Sequence, residues 1–172
     1  MNIPRRHYLK IAGFNEAHFK SLQRRNQIPL MANFKEAPSL ESLDADGYRP
    51  FEAVMLACAD QLSNGAVTRE AAKAAIEGYW TILFEMAEAY ETDQSGGFWL
   101  AYVGRELYFE RSPIDVSDGF KDAVKAYTDP EMVASVGPCS IVLVDAKPLL
   151  THASQTAADI GVDKLVPVVG KA

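Results

Sequence analysis

The chain has 172 residues, 48% of them hydrophobic, and a net charge of −6. That is apolar enough to bury a core and too apolar for a disordered chain. No apolar run approaches the roughly 20 residues of a membrane helix, and the two cysteines, Cys58 and Cys139, lack CxxC or histidine spacing, which excludes a transmembrane helix, a disulfide framework and a zinc site.

The charge is divided unevenly along the chain. Residues 1 to 35 carry seven basic side chains against Glu16 alone, while the remainder carries 10 basic and 22 acidic ones. One end is thereby suited to a polyanion and the other is not. The basic start, Met1 to Tyr8, is not followed by an apolar stretch, so no secretory signal and a cytoplasmic location are expected.

Taken in order, Pro4 suits the first turn of a helix that buries Leu9 and Ala12 and ends at Gly13. Asn15 then caps a second helix, Glu16 favours its first turn, and Phe19 and Leu22 give it an inner side before Pro29. Two helices joined by a tight glycine turn outline a helix-turn-helix. Leu30 to Phe34 reads as a strand and Gly47-Tyr48-Arg49 as its return after a polar loop, which is the outline of a wing. Pro50 opens a helix through Phe51, Val54, Met55, Cys58 and Leu62, closed by Asn64-Gly65. Thr68 caps an alanine-rich helix predicted to run unbroken from Arg69 to about Tyr90, the longest in the chain.

Gln94 to Gly97 reads as a linker, after which the texture changes. A hairpin is predicted around Gly104-Arg105-Glu106, helices at Gly119 to Tyr127 and Pro130 to Ser135, a buried strand from Cys139 to Asp145, and a helix from Pro148 to Ile160. Leu165 to Val169 is confined to an edge by Pro167 if it is a strand at all. The expected class is α+β: a mainly helical winged helix-turn-helix over residues 1–92, then a small α+β domain over 97–172 for oligomerisation or for a partner or ligand.

Three stretches carry a family likeness: Leu9-x-x-Ala12-Gly13-Phe14, then Phe19-Lys20-x-Leu22-x-Arg24-Arg25-x-x-Ile28-Pro29, then Gly47-Tyr48-Arg49-Pro50-Phe51. Over residues 4 to 90 this series resembles the MerR superfamily of winged helix-turn-helix proteins, in particular its excisionase-type branch. Lys20 stands where that pattern has arginine, Leu22 where it has an aromatic residue, and Asn26 where a glycine follows the basic pair. Asparagine tolerates the left-handed conformation, so that last change is mild. The resemblance implies double-stranded DNA as partner, a homodimer, transcriptional regulation and a nucleoid-associated location, with an excisionase-like architectural factor in recombination as the alternative.

The residues themselves point the same way. With Phe19 and Leu22 inward, the second helix offers His18, Lys20, Ser21, Gln23, Arg24 and Arg25 to phosphates or base edges. Arg5 and Arg6 before it and Arg49 after the wing are placed to meet backbone phosphates. A solvated helix face is the plainer reading, and a protein-interaction module that keeps the shape without binding DNA is a third.

Elsewhere the chemistry is sparse. Trp99, Tyr102, Tyr108, Phe109 and Tyr127 suit a pocket or a hairpin core alike, so a small-molecule effector is not indicated. Tyr79, Trp80, Phe84 and Tyr90 suit a core or a dimer helix. Cys139, His152 and Asp145 or Asp159 contain the residue types of a nucleophilic triad, but Cys139 has no glycine-framed turn, so no enzyme, cofactor or metal is expected.

Overall fold

In the computed structural model of the chain, residues 2–31, 47–65, 67–136 and 140–166 are described. Helix α1, Arg5–Ala12, follows an extended Pro4 and buries Tyr8, Leu9, Ile11 and Ala12. It ends at Gly13, whose φ of 73° is a left-handed conformation that glycine adopts without cost. Helix α2, Glu16–Arg24, starts where the Asn15 side chain accepts the His18 N–H at 2.8 Å, and buries Phe19 and Leu22. Past its end, Asn26 has a φ of 54°, the left-handed position for which asparagine is suited.

The segment Ala32 to Asp46, which holds most of the expected wing, lies outside the described residues. Leu30 and Met31, expected to begin a strand, are in irregular backbone. On the far side of that segment, Tyr48 pairs with Ile3 in an isolated antiparallel bridge, its N–H donating at 2.8 Å and its carbonyl accepting at 2.7 Å. The Tyr8 and Tyr48 rings stack at 4.4 Å, and Phe19 meets both edge-on.

Helix α3, Pro50–Asn64, buries every residue from Pro50 through Ala59 and again Leu62. Its apolar surface runs all round because α1, α4 and α8 pack against it. Helix α4, Arg69–Gly78, is capped by Thr68, which accepts the Ala71 N–H at 3.2 Å, and helix α5 is Trp80–Thr92. The single long helix expected over 69–90 is therefore two helices. Tyr79 breaks them at φ −118° and ψ 30°, directly after Gly78, a residue with low helical preference and no atom near its missing side chain.

Strands β1, Trp99–Val103, β2, Glu106–Glu110, and β3, Ile141–Asp145, form an antiparallel sheet in the order β2-β1-β3. The hairpin turns at Gly104-Arg105 with Val103 opposite Glu106. Gly104 has a φ of 65°, and a Cβ there would fall 2.5 Å from the Tyr127 ring. Helix α6, Asp118–Thr128, covers β1 and β2, with Phe120 edge-on to Tyr108, and leads through α7, Pro130–Val136, towards β3. Helix α8, Lys147–Asp159, returns across the first helices.

Two expectations for this half are corrected. The strand read as buried is half out: Ile141 is 44% and Leu143 39% exposed, because the two-residue alternation of a strand turns them to the side opposite Val142 and Val144, which pack against the core. Gln94 to Gly97 is a pinned turn rather than a free linker. Asp93 accepts the Ser95 N–H at 2.9 Å, Lys147 Nζ donates to the Gly96 carbonyl at 3.1 Å, and the Arg111 guanidinium donates to the Ser95 carbonyl while lying 4.2 Å from the Phe98 ring centroid.

Core residues from both sides of position 92 form one cluster. Across that boundary Tyr90 donates its hydroxyl to Thr151 Oγ1 at 2.8 Å, and His152 Nε2 donates to the Lys10 carbonyl at 3.1 Å. Residues 1–92 and 97–172 are thus joined through α8, which packs on α1 and α3.

Candidate nucleic-acid interface

With Phe19 and Leu22 turned inward, α2 leaves Lys20, Arg24 and the following Arg25 exposed, His18 exposed and set 4.8 Å from the Phe14 ring, and Ser21 and Gln23 half-buried. Arg6 is exposed on α1. All of these belong to the helix pair anchored by the Tyr8–Phe19–Tyr48 rings.

The cations are not equivalent. Arg5 Nη2 lies 2.6 Å from Glu16 Oε1 and its guanidinium stands 5.9 Å from the Phe19 ring centroid, so Arg5 braces α1 against α2. Lys20 Nζ is 3.7 Å from the same Glu16 oxygen. Arg25 lies near enough to Glu70 to help hold that carboxyl below the usual range, after the Glu70 backbone N–H and the Gln27 amide, which act more strongly. Arg6 and Arg24 form no ion pair among the described residues. Glu16, expected to favour the helix start electrostatically, therefore also offsets two of the cations proposed to face an anion.

Arg49 is half-buried, not at the outer edge of the molecule. It is the residue before Pro50, its Nη1 lies 4.0 Å from Met31 Sδ, and its backbone N–H donates to Glu52 Oε2 at 3.0 Å. Glu52 is 1% exposed. Burial pushes its carboxyl above the ordinary carboxylate range, against the opposing pull of the Arg49 and Met31 backbone N–H groups and the Arg49 charge. Tyr8 is raised too, chiefly by burial and then by the charge of Glu52, and its hydroxyl has no hydrogen-bond partner among the described residues.

Sequence reasoning missed two acidic side chains that hold the stretch leaving α2. Glu70 accepts from Gln27 Nε2 at 2.6 Å, and Glu77 accepts the Leu30 N–H at 3.0 Å. Glu52, which caps α3 by accepting the Arg49 N–H, had a signal, since an acidic third residue in a Pro-opened helix is a capping pattern. Glu70 and Glu77 had none: their partners lie 43 and 47 residues away.

Other candidate groups do not assemble. Phe98 stacks on Phe109 at 5.9 Å, and Tyr102 and Leu107 are buried, so Tyr102 and Phe109 pack with the core, while Trp99, Tyr108 and Tyr127 are half-buried outside it. A cavity of about 340 Å³ lies instead between the ends of α5 and α8, lined by Glu88, Glu91, Ser154 and Lys164 among others. Cys139 lies outside the described residues, and His152 is engaged with Lys10. Cys58 is fully buried, which pushes its thiol up to about 12 and leaves it inert. Among the described residues no three His, Cys, Asp or Glu side chains are arranged for a metal ion, and no helix is long and apolar enough to cross a membrane.

The fold and the site define a mostly helical α+β protein with a cation-bearing helix pair at its N-terminal end. Comparison with protein-family profiles, with curated proteins and with solved structures gave no match to the chain.

Proposed function

We propose that the chain is a sequence-specific DNA-binding protein that regulates transcription, with α2 as the helix that meets duplex DNA. The supporting observation is the outer side of α2. It carries Lys20, Arg24 and Arg25 in a protein of net charge −6, and Arg24 is free of any acidic partner among the described residues. An unpaired exposed arginine beside a glutamine suits the guanine and adenine edges of the major groove, and Arg6 on the neighbouring helix suits a phosphate.

A titration of duplex DNA across salt concentrations tests the reading. Affinity is expected to fall with a log–log slope of about −0.9 for each of roughly four to eight phosphates contacted. The double substitution Arg24→Ala, Arg25→Ala is expected to remove binding while leaving the denaturation midpoint in place, since both side chains are exposed. Equal affinity in that variant would end the assignment of α2, and no duplex binding by the unaltered protein at low salt would end the function. Tandem sites and a bent product would instead favour an architectural role.

A further inference from the structure

Arg5 and Lys20 stand on different helices, yet both lie against one oxygen of Glu16. Arg5 Nη2 donates to Glu16 Oε1 at 2.6 Å, while Lys20 Nζ is 3.7 Å from that same oxygen, too far for a hydrogen bond. The ammonium is drawn in by charge without being engaged. Arg5 also has a support that does not involve Glu16, because its guanidinium lies 5.9 Å from the centroid of the fully buried Phe19 ring. The arginine therefore keeps its place if the carboxylate leaves. Glu16 is free to leave: its side chain is 44% exposed, and exposed ion pairs are weak and screened by salt.

We infer that Arg5 and Lys20 form a seat for a phosphate group, and that Glu16 fills it as a built-in competitor. A phosphate presents several oxygens at once, so it takes the arginine fork and the lysine ammonium together, where the carboxylate bonds to the arginine alone. The existence of the seat does not depend on the DNA-binding reading, whereas its use on a duplex rests on it. In that use Glu16 lowers affinity for every duplex alike, since phosphate contacts carry no sequence information.

The full chain carrying Glu16→Gln tests it. Glutamine keeps the length of the side chain and removes its charge, and the start of α2 remains capped by Asn15. Inorganic phosphate is titrated at constant ionic strength while the Arg5 and Lys20 side-chain N–H signals are followed by NMR. The midpoint is expected to be about tenfold lower in Glu16→Gln than in the unaltered protein. Adding Lys20→Gln to that variant is expected to reverse the gain. On a duplex of random sequence, Glu16→Gln is expected to bind about tenfold more tightly at low salt, with the log–log salt slope steeper by about 0.9, one further phosphate.

Equal phosphate midpoints in Glu16→Gln and the unaltered protein overturn the seat, as does a gain that survives Lys20→Gln. Tighter phosphate binding with unaltered duplex affinity and slope overturns its use on DNA. If neither protein binds a duplex, the functional reading fails by itself, and the phosphate titration still decides the seat.

Discussion

Helix α2 and strand β3 each bury one side and expose the other, yet their exposed sides have opposite character. On α2 the outer positions are charged or polar and the inner ones are Phe19 and Leu22, so the 3.6-residue period separates them cleanly. On β3 both sides are apolar: Val142 and Val144 face the core, while Ile141 and Leu143 face out. A period-two pattern carries no information when both phases are hydrophobic. The first element declares its outer surface in its composition and the second conceals it.

That contrast can be pressed hardest on the inner side of α2. Phe19→Ala removes a fully buried ring that meets Tyr8 and Tyr48, and is expected to cost about 3–5 kcal/mol in chemical denaturation. A loss below about 1 kcal/mol would mean that α2 is not anchored by its rings.

A smaller effect, on the order of 1–3 kcal/mol, is expected for Gly104→Ala in the hairpin beside β3. The new methyl meets the Tyr127 ring in a left-handed turn, so the ring must move and the backbone is strained at once. A thermal or urea midpoint equal to that of the unaltered protein would show that α6 shifts freely off the sheet.

The smallest effect belongs to the outer side of β3. Leu143→Thr places a β-branched residue, which suits a strand, at a position already 39% exposed, and is expected to change stability by less than about 0.5 kcal/mol. A larger, concentration-dependent loss would show that this side is covered by another chain in solution, and would bring β3 closer to α2 as a working surface.

Much of the N-terminal architecture was legible because its boundaries are written in single residues. Gly13, Asn15, Pro50 and Thr68 stand where the helices begin or end, each for a local reason of backbone geometry or capping. The break at Tyr79 was hidden by an apolar stripe that continues through it, with Gly78 as the only mark. The pinned turn at 94–97 depends on Arg111 and Lys147, which no local pattern links to it.

The candidate site was legible as a list of side chains but not as an electrostatic arrangement. Arg24 and Arg25 could be placed outside α2 by counting from Phe19. Lys20 stands four residues after Glu16 on one helix, a pairing that spacing alone offers; that Glu16 would also engage Arg5, or that Arg49 would sit half-buried over Met31, depends on the packing of α1, α2 and α3 against one another.

Glu77, at the exit of α2, also bears on which substitutions the molecule can absorb. It takes hold of the N–H group of Leu30 rather than of its side chain. Every residue but one supplies that N–H, so many side chains can be exchanged at 30 with the bond retained. Proline is the exception: there it would leave Glu77 without its donor and release the stretch of chain that the helix behind it holds.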